Sequence, residues 1–356
     1  MKRSLKFSLN QANTEKLIVL EDLWNSYISV VNNFIDRLFN KEELSETFLK
    51  SLDSSLSYRY RQCAKRQAFK IYKSWCRNKK KGEKPILKGS MTLDYRFIEL
   101  QKGRNSFDYW IKIATLEKGK PVLIPLKSYV YANKYFNEWN LVGGGRLIKN
   151  EKGWLVIFTF EKETPAKKKS GKVIGIDIGI KKLIVDSEGN EYGKGTESLI
   201  DKIQRKQQGS KTFKRALKER DYYVNKIIKE IPFADTKVIV LENIKDIKKD
   251  TKKKKRLNKQ FRSKLQRWTY SKLISRVQQS CEVDGVHCQM IDPAYTSQTC
   301  CKCGFVHKLN RNGEMFKCRN CGYTLDADYN ASLNILNLGL TQQAMVAGST
   351  KGNICL

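Results

Sequence analysis

Between Thr14 and Phe39 the apolar residues Leu17, Leu20, Trp24, Tyr27, Val31, Phe34 and Leu38 recur at steps of three and four. That spacing lines one face of an amphipathic helix and predicts a helical hairpin or small bundle. Leu56 to Lys81 keeps the helical character but sets Arg59, Arg61, Lys65, Arg66, Lys70, Lys73, Arg77 and Lys79 among Tyr58, Tyr60, Phe69, Tyr72 and Trp75. From Pro85 to Glu163 the period changes to two. Short alternating segments end in "GWLVIFTFEKE", with hairpin signals at Glu117-Lys118-Gly119 and Asn150-Glu151-Lys152-Gly153. This predicts a small antiparallel β-barrel, the helices being an insertion between a first strand near Lys2 to Leu9 and the rest of the barrel.

"TPAKKKSGK", Thr164 to Lys172, is polar, basic and broken by Pro and Gly, and marks a domain boundary. The pattern then becomes that of an α/β sheet. "KVIGIDIGIKKLIV" holds a strand rich in β-branched residues and a second short strand at Leu183 to Val185. A turn follows at Asp186 to Asn190, then a long charged helix from about Thr196 to Glu230. "KVIVLEN" and "HCQMID" read as further strands, and "DYNASLNILNLG" as a closing helix ended by Gly339. Thr251 to Ser280 holds eleven Lys/Arg and no Asp/Glu, while Leu257, Phe261, Leu265 and Trp268 repeat at helical spacing. One face of that segment packs and the other is cationic.

Charge changes what these elements are for. The 356 residues include 69 Lys+Arg against 36 Asp+Glu, a net charge of +33. So large an excess calls for a polyanionic partner, nucleic acid first. The candidate phosphate contacts are Arg59, Arg61, Lys65, Arg66 and Arg77 in the aromatic-basic helix, and Lys252, Lys253, Lys254, Arg256 and Arg262 in the basic segment after Thr251.

A membrane is not expected to be the partner: no apolar run approaches 18 residues, and Glu15, Lys16, Glu21 and Asp22 interrupt any signal-peptide core after the basic Met1 to Asn10. A soluble, cytoplasmic protein is expected.

Asp177 is the anomaly in its strand, because an unpartnered carboxylate in a covered sheet is costly to desolvate. Either it caps a turn at Gly179 or a cation neutralises it. Glu242 ends the strand "VIVLE", and Asp328 opens the last helix, where it is also placed to cap it. Carboxylates gathered in one site repel unless cations occupy it, and oxygen ligands favour Mg²⁺ or Mn²⁺. Two such ions about 4 Å apart suit phosphodiester cleavage. Cys300-x-x-Cys303-Gly and Cys318-x-x-Cys321-Gly, fourteen residues apart, have the spacing of one structural Zn²⁺ site. Cys301 competes with Cys300 as ligand, and the two-residue gap to Cys303 favours Cys300. His307 reads as a surface residue of this ribbon.

"GIDIG" at Gly175 to Gly179, "VLENI" at Val240 to Ile244, "YTSQTCCKCG" at Tyr295 to Gly304 and "CGYTLDADYNASLNIL" at Cys321 to Leu336 together resemble the RuvC motifs and zinc ribbon of the TnpB family. The order is similar to that of compact type V CRISPR effectors and Fanzor proteins. The resemblance implies a multidomain α+β and α/β architecture. A wedge barrel would span 1–10 and 84–167, a helical recognition lobe 11–83, an RNase H-like RuvC domain 171–299 and 325–340, a zinc ribbon 300–324, and a flexible tail 341–356. It implies Asp177, Glu242 and Asp328 as metal-binding catalytic acids, with Asp328 preferred over Asp326. It implies an RNA-guided DNA endonuclease with a guide RNA and a double-stranded target DNA, in a prokaryotic cell. The alternatives are a non-cleaving RNA-guided repressor and a guide-independent RuvC-type nuclease. Asn330-Ala331-Ser332 departs from the family's Asn-Ala-Ala, and Cys301 stands where serine is common. Oligomeric state has no signature in the sequence.

The charge excess sets an expectation for binding. Affinity for nucleic acid should fall by about 0.9 log unit per log unit of salt for each phosphate neutralised. A flat salt dependence would remove nucleic acid as the partner.

Overall fold

The computed structural model describes residues 1–78, 82–103, 106–244, 263–264, 267–268 and 270–350. The chain divides into two compact units, Met1–Glu163 and Thr164–Leu356.

The first unit opens with β1 (Lys2–Ser8) and three helices, α1 (Thr14–Phe39), α2 (Glu46–Ser51) and α3 (Tyr58–Arg77). Asn13, Ser45 and Ser57 begin them, each side chain accepting a backbone N–H of the first turn. On α1 the seam predicted from the sequence faces inward: Leu20, Trp24, Tyr27, Val31, Phe34 and Leu38 are buried, and Leu17 is half-buried. Then follow β2 (Ser90–Leu93), β3 (Ile98–Lys102), β4 (Tyr109–Ile113), β5 (Val122–Leu126), α4 (Val130–Glu138), β6 (Asn140–Asn150) and β7 (Gly153–Glu161). β1 pairs with β7 along its whole length, Lys2 opposite Glu161 and Ser8 opposite Leu155.

The expected barrel is corrected by this unit. Among the described residues its strands form two antiparallel sheets, β1-β7-β6-β2 and β3-β4-β5, with no closed barrel. The cause lies at Gly143-Gly144-Gly145, where the β6 register against β7 shifts between Val142 and Arg146. A Cβ on Gly144, at φ +90°, would lie 2.5 Å from the Leu93 carbonyl oxygen, and one on Gly143 would lie 2.9 Å from Tyr95 Cβ. The side-chain-free bulge lets the chain leaving β2 cross closely and start a separate sheet.

The second unit has β8 (Lys172–Asp177), β9 (Lys182–Asp186) and β10 (Glu191–Lys194), then α5 (Thr196–Gln204), α6 (Lys211–Ile228) and β11 (Thr236–Glu242). Further along come α7 (Tyr270–Val283), β12 (His287–Ile291), the short strands β13 (Arg311–Asn312), β14 (Met315–Lys317) and β15 (Thr324–Asp326), and α8 (Ala327–Thr350). The main sheet has the order β10-β9-β8-β11-β12, with β8, β11 and β12 parallel and β9 and β10 antiparallel. Its central strands are covered on both faces. Ile174, Ile176, Ile239 and Leu241 pack with Val224, Ile227 and Ile228 of α6 and Leu273 and Val277 of α7. Val238 and Val240 point the other way and meet Ile335 of α8. This two-sided cover explains the continuous β-branched runs.

Three expectations change here. The long helix expected over 196–230 is two helices, parted by a turn with Gly209 at φ +86° and restarted by the Ser210 cap. β10, with the polar sequence EYGK, carries no strand signal and pairs with β9 at the sheet edge. The closing helix does not stop at Gly339 but runs to Thr350, so the expected tail is helical as far as the described residues reach. Gly339 is a contact point rather than a cap: a Cβ there would lie 2.6 Å from Val240 Cγ2. Gly175 works in the same way from the strand side, its would-be Cβ lying 2.4 Å from the Ser332 carbonyl oxygen and 2.6 Å from Leu336 N.

Gly175→Ala is therefore expected to force α8 off β8 and destabilise the fold by about 1–3 kcal/mol, read as a melting temperature lower by several degrees. An unchanged melting temperature would show that the close approach is dispensable.

Candidate metal centres

Parallel pairing of β8 with β11 sets Leu241 opposite Ile176, so the next residues, Glu242 and Asp177, leave the sheet side by side at its carboxyl edge. Asp328, the second residue of α8, joins them and is only 8% exposed. The carboxyl group of Asp177 is pushed up to about 8, by burial first and then by the charges of Glu242 and Asp328, with Arg311 opposing. Glu242 is also raised, chiefly by burial, against the pull of a Thr296 hydrogen bond and of Arg311. The three acids predicted from sequence thus lie near enough for the charges of Glu242 and Asp328 to act on Asp177.

Asp177 does not cap Gly179 itself, whose N–H donates to the Leu183 carbonyl at 3.3 Å; its carboxyl takes the backbone N–H of Ile178 instead. A Cβ on Gly179 would lie 2.6 Å from the Lys182 carbonyl oxygen, so the tight turn between β8 and β9 beside the acids needs glycine. Asp328 is not the helix cap either. Asp326 Oδ1 accepts the N–H groups of Asp328 and Tyr329 at 3.0 Å, and Asp326 Oδ2 pairs with Lys182 at 2.7 Å. Capping falls to Asp326, which leaves Asp328 to face the other two acids.

Two residues of the site have no role in the motif reading. Arg311 Nη2 donates to Asp328 Oδ1 at 2.6 Å, bringing a guanidinium from β13 to the acids. Thr296 Oγ1 donates to Glu242 Oε1. Thr296 lies inside the quoted "YTSQTC" stretch, whereas Arg311 sits in a charged turn that sequence alone does not distinguish from a surface loop.

The four cysteines also converge. Cys300, Cys303, Cys318 and Cys321 place their sulfurs within 4.8 Å of one another. Cys300 Sγ and Cys321 Sγ are 3.8 Å apart, and Cys303 Sγ and Cys318 Sγ 3.6 Å. A tetrahedron with Zn–S bonds of ~2.3 Å has edges of about 3.8 Å, so the donor set fits zinc. The Phe305 N–H is the main influence lowering the Cys303 thiol. Burial raises Cys300, and against its Tyr323 N–H, burial and the neighbouring thiols raise Cys321, so the sulfurs compete for charge until a cation is bound. Cys301 stands outside the group, its N–H donating to Asn330 Oδ1 at 3.1 Å. His307 Nδ1 accepts the Leu309 N–H at 3.2 Å.

The candidate phosphate contacts separate. Arg59, Arg66 and Arg77 are exposed on α3, Arg66 also pairing with Asp94 at 3.1 Å. Arg61 is half-buried and donates to the carbonyls of Leu49, Lys50, Leu56 and Ser54, tying α2 to α3. Lys65 donates to the Leu44 carbonyl and is half-buried. Lys252, Lys253, Lys254, Arg256 and Arg262 lie outside the described residues. No described helix is long and apolar enough to cross a membrane.

Residues 270–335 match the family model of the Cas12f1-like TNB domain. Over 72 residues the chain is 49% identical to the CRISPR-associated endodeoxyribonuclease Cas12f1 of Sulfoacidibacillus thermotolerans, a match spanning 20% of this chain and 17% of that protein. It is 28% identical over 257 residues to the TnpB-like protein MJ0751 of Methanocaldococcus jannaschii, covering 63% of this chain and 89% of that one. Its fold is similar to a chain in the cryo-EM structure of a Cas12f1-sgRNA-target DNA complex, with a TM-score of 0.58 at 14% identity, over 95% of this chain and 99% of that chain.

The raised carboxyl of Asp177 gives the metal-free protein a pH signature. Its proton is held more tightly in the folded chain than in the unfolded one, where an aspartate titrates near ~3.9. Stability from this group is present at low pH and is lost as pH rises from about 4 toward 8. Without added divalent cations, Asp177→Asn should flatten that part of the melting-temperature profile. Identical slopes in both proteins would show that Asp177 carries no such proton.

Proposed function

We propose that the chain, similar to TnpB proteins and compact type V effectors, is an RNA-guided DNA endonuclease. The observation that carries this is the meeting of Asp177, Glu242 and Asp328 at the carboxyl edge of a parallel sheet, the position where α/β sheets hold their sites. In this reading the first unit supplies a wedge and a helical recognition lobe. The second is an RNase H-like RuvC domain with an inserted zinc ribbon. Guide RNA and double-stranded target DNA are the partners, held mainly through their backbones by the basic surface. The cell interior of a prokaryote is the compartment, and the free cysteines are compatible with its reducing conditions.

Asp177, Glu242 and Asp328 would hold Mg²⁺ or Mn²⁺. Their mutual repulsion, with only Arg311 seen to reach Asp328 among the described residues, fits that role. Divalent cations there supply activation of water and stabilisation of the leaving oxygen. The chain's own residues do the rest. The two strand ends fix the spacing of Asp177 and Glu242, and the Asp326 cap orients the turn that presents Asp328. Arg311 offers a guanidinium suited to a phosphate oxygen. Cys300, Cys303, Cys318 and Cys321 would hold one structural Zn²⁺ and close the ribbon that carries Arg311.

The test is to purify the chain expressed with its native flanking DNA, identify the bound RNA, and assay cutting of DNA matched to that RNA. Asp177→Ala should reduce cutting to background while RNA stays bound. Undiminished cutting by the variant would overturn the assignment of the acids, and cutting without any RNA would overturn guidance.

A further inference from the structure

The stretch Tyr295-Thr296-Ser297 ahead of the ribbon has no ligand role, yet its backbone is tied down by several hydrogen bonds. Thr296 is 4% exposed, and its hydroxyl donates to Glu242 Oε1. The Pro293 carbonyl, at 3.2 Å, is another acceptor within reach, and the carboxylate is the stronger of the two.

The backbone behind that hydroxyl is clamped from α8. Asn334 Nδ2 donates to the Thr296 carbonyl at 2.9 Å and the Thr299 carbonyl at 2.7 Å. Asn330 Nδ2 donates to the Thr299 carbonyl at 2.9 Å, and its Oδ1 accepts the Cys301 N–H. Both asparagines are buried, at 0% and 5% exposure, and stand one helical turn apart. Tyr295 adopts a left-handed backbone, φ +64°, while its carbonyl receives the Gln298 and Thr299 N–H groups. A non-glycine residue holds that conformation only where its surroundings over-determine it. The helix that presents Asp328 thus also fixes the loop that touches Glu242.

We propose that Thr296 is a positioning residue that orients the Glu242 carboxylate for divalent cations, with Asn330 and Asn334 holding it from the helix that carries Asp328. The inference rests on the cation-site reading given above. By engaging Oε1, the hydroxyl restrains the carboxylate's rotation, and the group would meet a cation in one fixed orientation. Outer partners of this kind typically change metal affinity by 10–100-fold when removed.

The experiment is a Mn²⁺ titration followed by electron paramagnetic resonance, on the full chain freed of nucleic acid, with Asp177→Ala as the background. Zinc content and melting temperature are measured on each variant. Thr296→Val keeps the shape without the hydroxyl and should weaken Mn²⁺ binding by about 10–100-fold at unchanged zinc content. Thr296→Ser restores the hydroxyl and should bind as the parent does. If Thr296→Val loses zinc or unfolds, Thr296→Ala takes its place. Equal affinity in Thr296→Val and the parent, or equal weakening in the serine and valine variants, would overturn the role of the hydroxyl. A parent that binds no more Mn²⁺ than Asp177→Ala would instead overturn the cation-site reading, and the inference with it.

Discussion

Three carboxylates gathered at one sheet edge, Asp328 buried and Asp177 and Glu242 partly so, set the terms for the second unit. Burial alone raises Asp177, and the neighbouring charges raise it further. A fold tolerates this only if rigid elements deliver each group, since a flexible loop would let the acids separate and regain water. Two of the three are delivered by strand ends whose register is fixed by a parallel ladder running up to the acids. The third comes from the first turn of a helix whose cap, Asp326, is itself tied to Lys182 of β9. The strain is therefore held by the most ordered parts of the unit.

α8 links this site to the rest of the unit. Gly175 on β8 and Gly339 on the helix remove the side chains that would keep the two apart, so backbone meets sheet along two helical turns and more. Ser332 uses the closeness, its hydroxyl lying within hydrogen-bond reach of the Asp186 carbonyl at 3.0 Å and of the Tyr329 carbonyl of its own helix at 2.8 Å. This gives the departure from Asn-Ala-Ala a physical content: the extra hydroxyl has a buried partner. Asn330 and Asn334 project from the same helix to the loop entering the ribbon. One helix thus sets Asp328, the approach to Cys300, and the neighbour of Glu242.

Much of this was legible in the sequence where a strong period or an unusual residue type carried it. The seam of α1, the buried strands and the four cysteines are examples, because burial period and ligand spacing are local properties. Asp177 stood out because a carboxylate is rare in such a strand. What was not legible depended on contacts distant in sequence. Gly339 looks like a helix stop until Val240 is seen beside it. Arg61 looks like its exposed neighbours until four carbonyls are found around it. The barrel failed for the same reason, since three glycines in β6 permit a crossing that strand alternation does not reveal.

The charge of the whole chain and the charge of the site have opposite signs, and this contrast bears on the proposed function. A net charge of +33 draws a polyanion toward the surface from a distance. Close to Asp177, Glu242 and Asp328 the same phosphates would meet like charges and be repelled. Arg311 offsets only part of that, being already engaged with Asp328. Cations in the acidic group would reverse the local sign and join the two fields into one. Binding to the basic surface and reaction at the acidic site are then separate requirements, satisfied by different residues, and loss of the second need not disturb the first.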